Sequence, residues 1–274
     1  MSTAAVVAYE SISDKELRTI RFDRGEAGDI VLCNWQAHAA HALDSNKSAI
    51  TADFISNLRD GVEGQLDVNF AYFQGAAGDV NFAPRMNDRK YSGWEEIGEK
   101  LVDIVADSLA NETPAASGKL QITKVIVDGT VRKESAERVA QAKEINNTKD
   151  DDAKTALTAK YGFASRYEVS AVIKRAGMGE TSELPLYCIT FGDIAFVSAP
   201  FEMFNTNGKE LRAASPYKMT INCSYTNGAC GYMPSSVAFD HGGYEYDTCY
   251  FVKGTAEQFV NETLRILNEH FANR

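Results

Sequence analysis

Seven short runs rich in β-branched and aromatic residues recur along the chain, at 4–9 (AAVVAY), 17–22 (LRTIRF), 29–35 (DIVLCNW), 68–74 (VNFAYFQ), 120–127 (LQITKVIV), 186–198 (LYCITFGDIAFVS) and 218–223 (KMTINC). Each reads as strand. Between them lie stretches with helical periodicity, at 51–64, 93–112, 131–160, 202–214 and 254–272. In the last, Phe259, Leu264, Ile266, Leu267 and Phe271 can share an apolar face. Alternation of this kind predicts an α/β (α+β) fold with a mixed β-sheet core flanked by helices. Within 186–198 the Gly192-Asp193 pair separates two apolar runs, the pattern of a tight hairpin, so some of the pairing is expected to be antiparallel.

From Lys133 to Lys160 the chain is dense in Lys, Glu, Asp and Ala with a weak apolar stripe, which reads as a mostly solvated helix or a helical excursion, without chemistry. No repeat, low-complexity tract or Pro/Gly/Ser linker interrupts the 274 residues, so a single domain spanning 1–274 is expected.

The formal net charge of −10, with Lys and Arg dispersed, argues against nucleic acid as a partner. No apolar stretch approaches the roughly 18 residues of a membrane span. The five cysteines are widely spaced and lack a C-x-x-C pair, so reduced thiols are expected rather than a zinc knuckle or a disulfide framework. Cys223 and Cys230 flank a tyrosine-rich segment, but no histidine stands beside either in a nucleophile arrangement. The N-terminus shows no basic segment followed by a secretory apolar run, which taken literally predicts a cytoplasmic protein.

Four clusters are candidates for chemistry. In CNWQAHAAHALD a strand-like run ends at Trp35 and delivers His38, His41 and Asp44; imidazole is the commonest zinc ligand, although an isolated H-x-x-H is more often an ordinary loop. In FQGAAGDVNFAP a glycine-rich turn after a strand carries Asp79, with no Lys-Ser or Lys-Thr pair to make it a phosphate loop. In VSAPFEMFNTNGKELR, Glu202 follows a strand and Pro200 and precedes a helix, where it is either a cap or a ligand or base. The segment YTNGACGYMPSSVAFDHGGYEYD, with four tyrosines, Asp240 and His241, lacks periodicity and is too aromatic for disorder, so it reads as a substrate-binding loop.

Taken in order, these clusters resemble the catalytic domain of the neutral (non-lysosomal, neutral/alkaline) ceramidase family and its bacterial relatives. The matching positions are Asn34-Trp35 and His38, Thr51-Ala52-Asp53, Gly78-Asp79-Val80, Pro200-Phe201-Glu202 with Gly208 beyond, and Gly231-Tyr232 followed by Tyr244-Glu245. The likeness runs from about Asp14 to the end of the chain. It implies a catalytic zinc held by His38, Glu202 and Tyr232, and hydrolysis of an amide C–N bond by metal-activated water. It also implies a small-molecule amide substrate, a lipid-like one among the options. Tyr244 is then a donor to the developing oxyanion, Asp79 and His41 are supporting or proton-transfer residues, and Asp53 and Asn81 are substrate-binding candidates.

Two departures qualify the match. The family's other zinc histidine lies in a His-rich motif upstream of anything in this sequence, so either the N-terminus is incomplete, or the site is remodelled, or His41 substitutes. Asn81 and Phe82 stand where ceramidases carry serine and proline, which bears on whether ceramide itself is the substrate. The family's C-terminal immunoglobulin-like domain also has no counterpart here. The alternative reading is a non-catalytic relative that keeps the fold and pocket and binds a small molecule or partner.

Overall fold

The computed structural model describes residues 12–40, 50–80 and 93–274. The strand expected at 4–9 lies outside them, as do His41, Asp44, Asn81 and Phe82. The expected mixed pairing is present, but divided between two main sheets rather than gathered in one.

The first sheet has the order β1 (Arg18–Phe22), β2 (Ile30–Trp35), β3 (Asn69–Gln74), with β1 antiparallel and β3 parallel to β2. Parallel neighbours need a crossover, and α1 (Phe54–Leu66) supplies it. Its buried residues Phe54, Leu58 and Val62 recur every four positions, and α2 (Trp94–Ala110) answers with Ile97, Leu101 and Val105 at the same interval. Two such stripes bury each other, and loss of any one of these side chains to alanine would cost about 2–5 kcal/mol.

The second sheet has the order β4 (Gln121–Thr130), β5 (Thr181–Phe191), β6 (Ile194–Ser198), β8 (Met219–Cys223). The hairpin expected at Gly192-Asp193 joins β5 to β6, with Phe191 registered on Ile194 and Gly192 at φ +57°, a conformation open to glycine at little cost. The pair β6 and β8 is parallel, and α6 (Asn205–Ala214) crosses between them. Along one face of this sheet lies α9 (Thr255–Ala272), burying Phe259, Ile266 and Leu267, with Leu264 and Phe271 partly buried as its periodicity predicts.

Between β4 and β5 the chain makes a helical excursion. The helical pattern over 131–160, expected as a solvated helix or a helical excursion, is the latter, with two helices, α3 (Ala136–Asn147) and α4 (Asp151–Lys160), followed by the unexpected α5 (Arg166–Gly177). The break after Thr148 arises because the Asp150 carboxylate accepts a hydrogen bond from the Ala153 N–H at 2.8 Å and starts a new helix. Ser165 does the same for α5 through the Glu168 N–H. The three helices close on a small core of Ala142, Ile145, Phe163, Val169 and Val172, which a one-helix reading has no way to supply.

Two short elements went unread in the sequence: a two-residue parallel ladder between β7 (Glu202–Met203) and β9 (Tyr232–Met233), and a pair of helices, α7 (Ser236–His241) and α8 (Tyr244–Thr248).

The two main sheets meet at their carboxyl ends. The buried Asn34 side chain donates from Nδ2 to the carbonyls of Phe73 and Asn222, both at 2.9 Å, and the Ser224 N–H donates to the Gln74 carbonyl at 2.9 Å. Ile20, Leu32, Ile221 and Cys223 fill the seam. The segments leaving β2, β3, β6 and β8 therefore emerge beside one another, and a cleft outside the carboxyl ends of parallel strands is where α/β folds place ligands.

Candidate metal centre

Each of those strand exits contributes. After β2 comes His38, whose backbone N–H donates to the Val80 carbonyl, in the segment leaving β3, at 3.3 Å. The imidazole Nδ1 lies 3.1 Å from the same carbonyl, and Nε2 lies 3.0 Å from Glu202 Oε2 in the segment leaving β6. Tyr225, two residues beyond β8, donates its hydroxyl to Glu202 Oε2 at 3.1 Å and stands 3.5 Å from His38 Nε2. Tyr232 joins through the ladder, where it is the register partner of Glu202, with its ring centroid 6.3 Å from that of His38.

Hydrogen-bond logic constrains the pair at the centre. A carbonyl only accepts, so Val80 assigns the Nδ1 proton of His38. Nε2 and a carboxylate oxygen then face each other at 3.0 Å as two electron-pair donors, which requires something electrophilic between them: a second proton or a cation. The same competition sets the His38 titration. Burial is the largest single influence and lowers its pKa, but the hydrogen bond and charge of Glu202, with the carbonyls of Val80 and Ala77, outweigh it and raise the pKa above the usual value. The phenols respond in the same direction. Burial first, then the charge of Glu202 and hydrogen bonding to it, raise both Tyr225 and Tyr232 well above the ordinary phenol range, so each keeps its proton.

An imidazole nitrogen, a carboxylate oxygen and phenol oxygens are donor types that fit zinc, whose bonds of about 2.0–2.2 Å in a tetrahedron put neighbouring donors about 3.3–3.6 Å apart. His38 Nε2 and Glu202 Oε2, at 3.0 Å, and the Tyr225 hydroxyl, at 3.1 and 3.5 Å from them, are close to that spacing, and Tyr232 adjoins them as the register partner of Glu202. Among the described residues no group of three or more His, Cys, Asp and Glu side chains gathers, so one imidazole, one carboxylate and phenols make up what this part of the chain can offer.

The other expected site residues fall as follows. The Asp79 carboxylate accepts the Asn205 N–H at 2.5 Å, so it holds the first turn of α6, the helix that follows Glu202; Glu202 itself lies in β7, ahead of that helix. Asp53 is buried at the start of α1, where it accepts the Phe54 N–H at 2.8 Å, and its backbone is in the left-handed region at φ +58°. Tyr244, on α8, stands edge-on to Tyr232 with centroids 5.8 Å apart and edge-on to Tyr167 at 5.6 Å. Burial, followed by the charge nearby, raises its pKa too. His41 and Asn81 lie outside the described residues. Asp240 pairs with Lys253 at 2.6 Å, away from this cluster's bonding.

Tyr225 was not singled out in the sequence. Its signal was positional: it follows the end of β8 as His38 follows β2, and it opens the tyrosine-rich segment. It also carries φ +58°, a costly conformation for an aromatic residue and one that concentrates at functional sites. The cysteines give no competing chemistry. Burial pushes Cys33, Cys188 and Cys223 up to about 12, and it raises Cys230 as well; all five are free thiols.

Beside the cluster lies a cleft of about 270 Å³, lined by Glu202, Tyr232, Tyr244, Tyr167, Tyr250 and Lys174 among others. Larger hollows, such as one of about 760 Å³ between β4 and α9, contain none of these residues.

Comparison with solved structures gives this arrangement its context. A neutral ceramidase from Pseudomonas aeruginosa superposes with a TM-score of 0.67 over 97% of this chain and 49% of its own, at 14% identity. The chain has the neutral ceramidase fold. A second structure, a ceramidase complexed with C2, gives 0.66 over 96% of this chain and 49% of that one, at 12% identity. The chain thus spans about half the length of each ceramidase. Neither a protein-family model nor a curated protein sequence matches it. No helix among the described residues is long and apolar enough to cross a membrane.

Proposed function

We propose that this chain, as a single catalytic-type domain over 1–274, is a zinc-dependent hydrolase of amide C–N bonds of the ceramidase-like kind. The observation that carries the reading is the convergence of His38 Nε2, Glu202 Oε2 and the Tyr225 hydroxyl at the carboxyl ends of four strands, with Tyr232 registered on Glu202.

His38, Glu202 and Tyr232 would hold the metal, with Tyr225 beside them on the Glu202 carboxylate. Zinc bound there supplies Lewis acidity toward an amide carbonyl and toward water. The remaining work falls to the chain. The Val80 carbonyl fixes the imidazole so that Nε2 faces the cleft. Tyr244, protonated at neutral pH, is an O–H donor for the oxyanion that develops on the carbonyl oxygen. Asp79 keeps α6, and with it the Glu202 segment, in register. His41 remains the proton-transfer candidate and Asn81 a substrate contact.

Zinc analysis of the purified, metal-reconstituted chain tests this directly. The expected result is about one zinc per chain, lost in His38→Ala and Glu202→Ala, with hydrolysis of an N-acyl amide abolished by chelation and restored by zinc. A folded chain that takes up no zinc overturns the reading. A site with one imidazole among the described residues, His38, is also what a binding-only relative would retain; zinc uptake with no turnover of any N-acyl amide would mark it as that.

A further inference from the structure

The stretch Lys133–Lys160 was read from its sequence as without chemistry; α5, just beyond it and not read as an element, forms one wall of the cleft beside Glu202, contributing Tyr167, Ser170 and Lys174. Glu202 and Lys174 are the charged residues in the lining, and they are not equivalent. Glu202 is engaged by His38 and Tyr225. Lys174 forms no ion pair among the described residues; its ammonium sits 4.4 Å from the centroid of the Tyr250 ring, on the cleft wall. Lys174 is exposed at the rim of the cleft and rests on the Tyr250 ring, so in a protein of net charge −10 it presents a cation to the cleft that no carboxylate among the described residues neutralises by an ion pair.

We propose that this cleft selects amides whose amine portion carries a carboxylate, that is N-acyl amino acids, with Lys174 as the residue that reads the acid. The proposal rests on the hydrolase reading, and it names the substrate class. Three features favour a carboxylate. A lone ammonium, with phenol O–H groups of Tyr167 and Tyr244 on the same wall, suits a monoanion. No arginine among the described residues lines the cleft, so they offer none of the forked donor geometry that favours phosphate. And at about 270 Å³ the cleft is smaller than a drug-sized pocket, so it takes a compact headgroup, while an acyl chain would extend past the exposed rings of Tyr167 and Tyr244.

A matched pair tests it: an N-acylglycine and the N-acylethanolamine of the same acyl chain, which differ by a carboxylate against a hydroxymethyl group. With the zinc-reconstituted full chain, kcat/KM is expected to favour the N-acylglycine by about tenfold or more, the worth of a charge-assisted hydrogen bond. Lys174→Gln should bring the ratio near one by raising KM for the acid, and Lys174→Glu should reverse it. Equal ratios in the wild type and Lys174→Gln overturn the proposal. Calorimetric binding of the two N-methylated, slowly cleaved analogues, with and without zinc, separates this from the hydrolase reading. If neither amide is cleaved, the hydrolase reading fails, while preferential binding of the acid that Lys174→Gln removes still supports the assignment of Lys174. Equal binding of the two analogues overturns that assignment whether or not there is turnover.

Discussion

Among the described residues Arg175 is the largest side chain to be fully buried, and its replacement by methionine should unsettle the cleft wall from behind. From α5 its guanidinium donates to the carbonyls of Cys249 at 2.8 Å and Asp247 at 3.1 Å, and to Glu134 Oε1 at 2.5 Å. Arg132 adds hydrogen bonds to the carbonyls of Tyr246 and Asp247 and lies over the Tyr246 ring at 4.5 Å. Two cations thus clamp the carboxyl end of α8, the short helix that carries Tyr244. Five residues cannot hold a helix alone, so the clamp is what keeps Tyr244 in place.

The magnitude follows from opposing terms. Burial, then the nearby charge of Arg132, lower the Arg175 pKa, which records that its ionised form is held there at a cost. Methionine removes that cost and keeps most of the volume, but it takes the guanidinium from the Cys249 carbonyl, leaves the Asp247 carbonyl to Arg132 alone, and leaves Glu134 only Arg132, at 3.7 Å. Breaking a buried pair from one side costs about 3–5 kcal/mol, and the surviving Arg132 contact argues for the lower end. At about 2–4 °C per kcal/mol for a chain of this size, the midpoint of thermal unfolding should fall by about 6–12 °C. Near-ultraviolet circular dichroism should lose tyrosine signal below the main transition as α8 loosens. A midpoint within about 2 °C of wild type with unchanged tyrosine signal would refute the reasoning.

Other expectations are narrower. A Cβ added at Gly78 would lie 2.6 Å from the Glu202 carbonyl oxygen and 2.9 Å from the Phe204 ring, so Gly78→Ala should displace Glu202 and weaken zinc binding about tenfold or more, with far-ultraviolet dichroism unchanged. Asp79→Ala removes the acceptor for the Asn205 N–H and should cost about 1 kcal/mol in urea denaturation, whatever its effect on turnover. His270 is buried between the hydroxyls of Thr123 and Thr190, and burial lowers its pKa. The unfolded chain then binds the proton more readily, so stability should decline as pH falls below about 6.5, and His270→Gln should flatten that part of the stability–pH curve.

The legibility of the fold tracked the length of the pattern. Strands β1 to β6 and β8, the hairpin at Gly192-Asp193 and helices α1, α2, α6 and α9 carry period-two or period-3.6 signals over five or more residues, and each was expected within a few positions of where it lies. The excursion failed as a pattern because Asp150 and Ser165 stop and restart helices through single hydrogen bonds, and composition over 131–160 cannot register that. The division into two sheets was equally invisible, since which strands pair across distant segments leaves no mark on local periodicity; Asn34, bonding carbonyls from both, then ties the sheets together.

That asparagine also explains why half of the candidate site was readable and half was not. His38 and Glu202 stand next to strands the sequence announces, so residue type and strand end together point to them. Tyr225 and Tyr232 reach the same point by a left-handed backbone and a two-residue ladder, neither of which has a period to detect, so Tyr232 was named only through the family resemblance and Tyr225 not at all. His38 comes from the first sheet and Glu202, Tyr225 and Tyr232 from segments following the second, so the donor set exists only while the Asn34 and Ser224 hydrogen bonds keep the two sheets together. A substitution at that seam, distant in sequence from every donor atom, should therefore weaken metal binding before it unfolds either sheet.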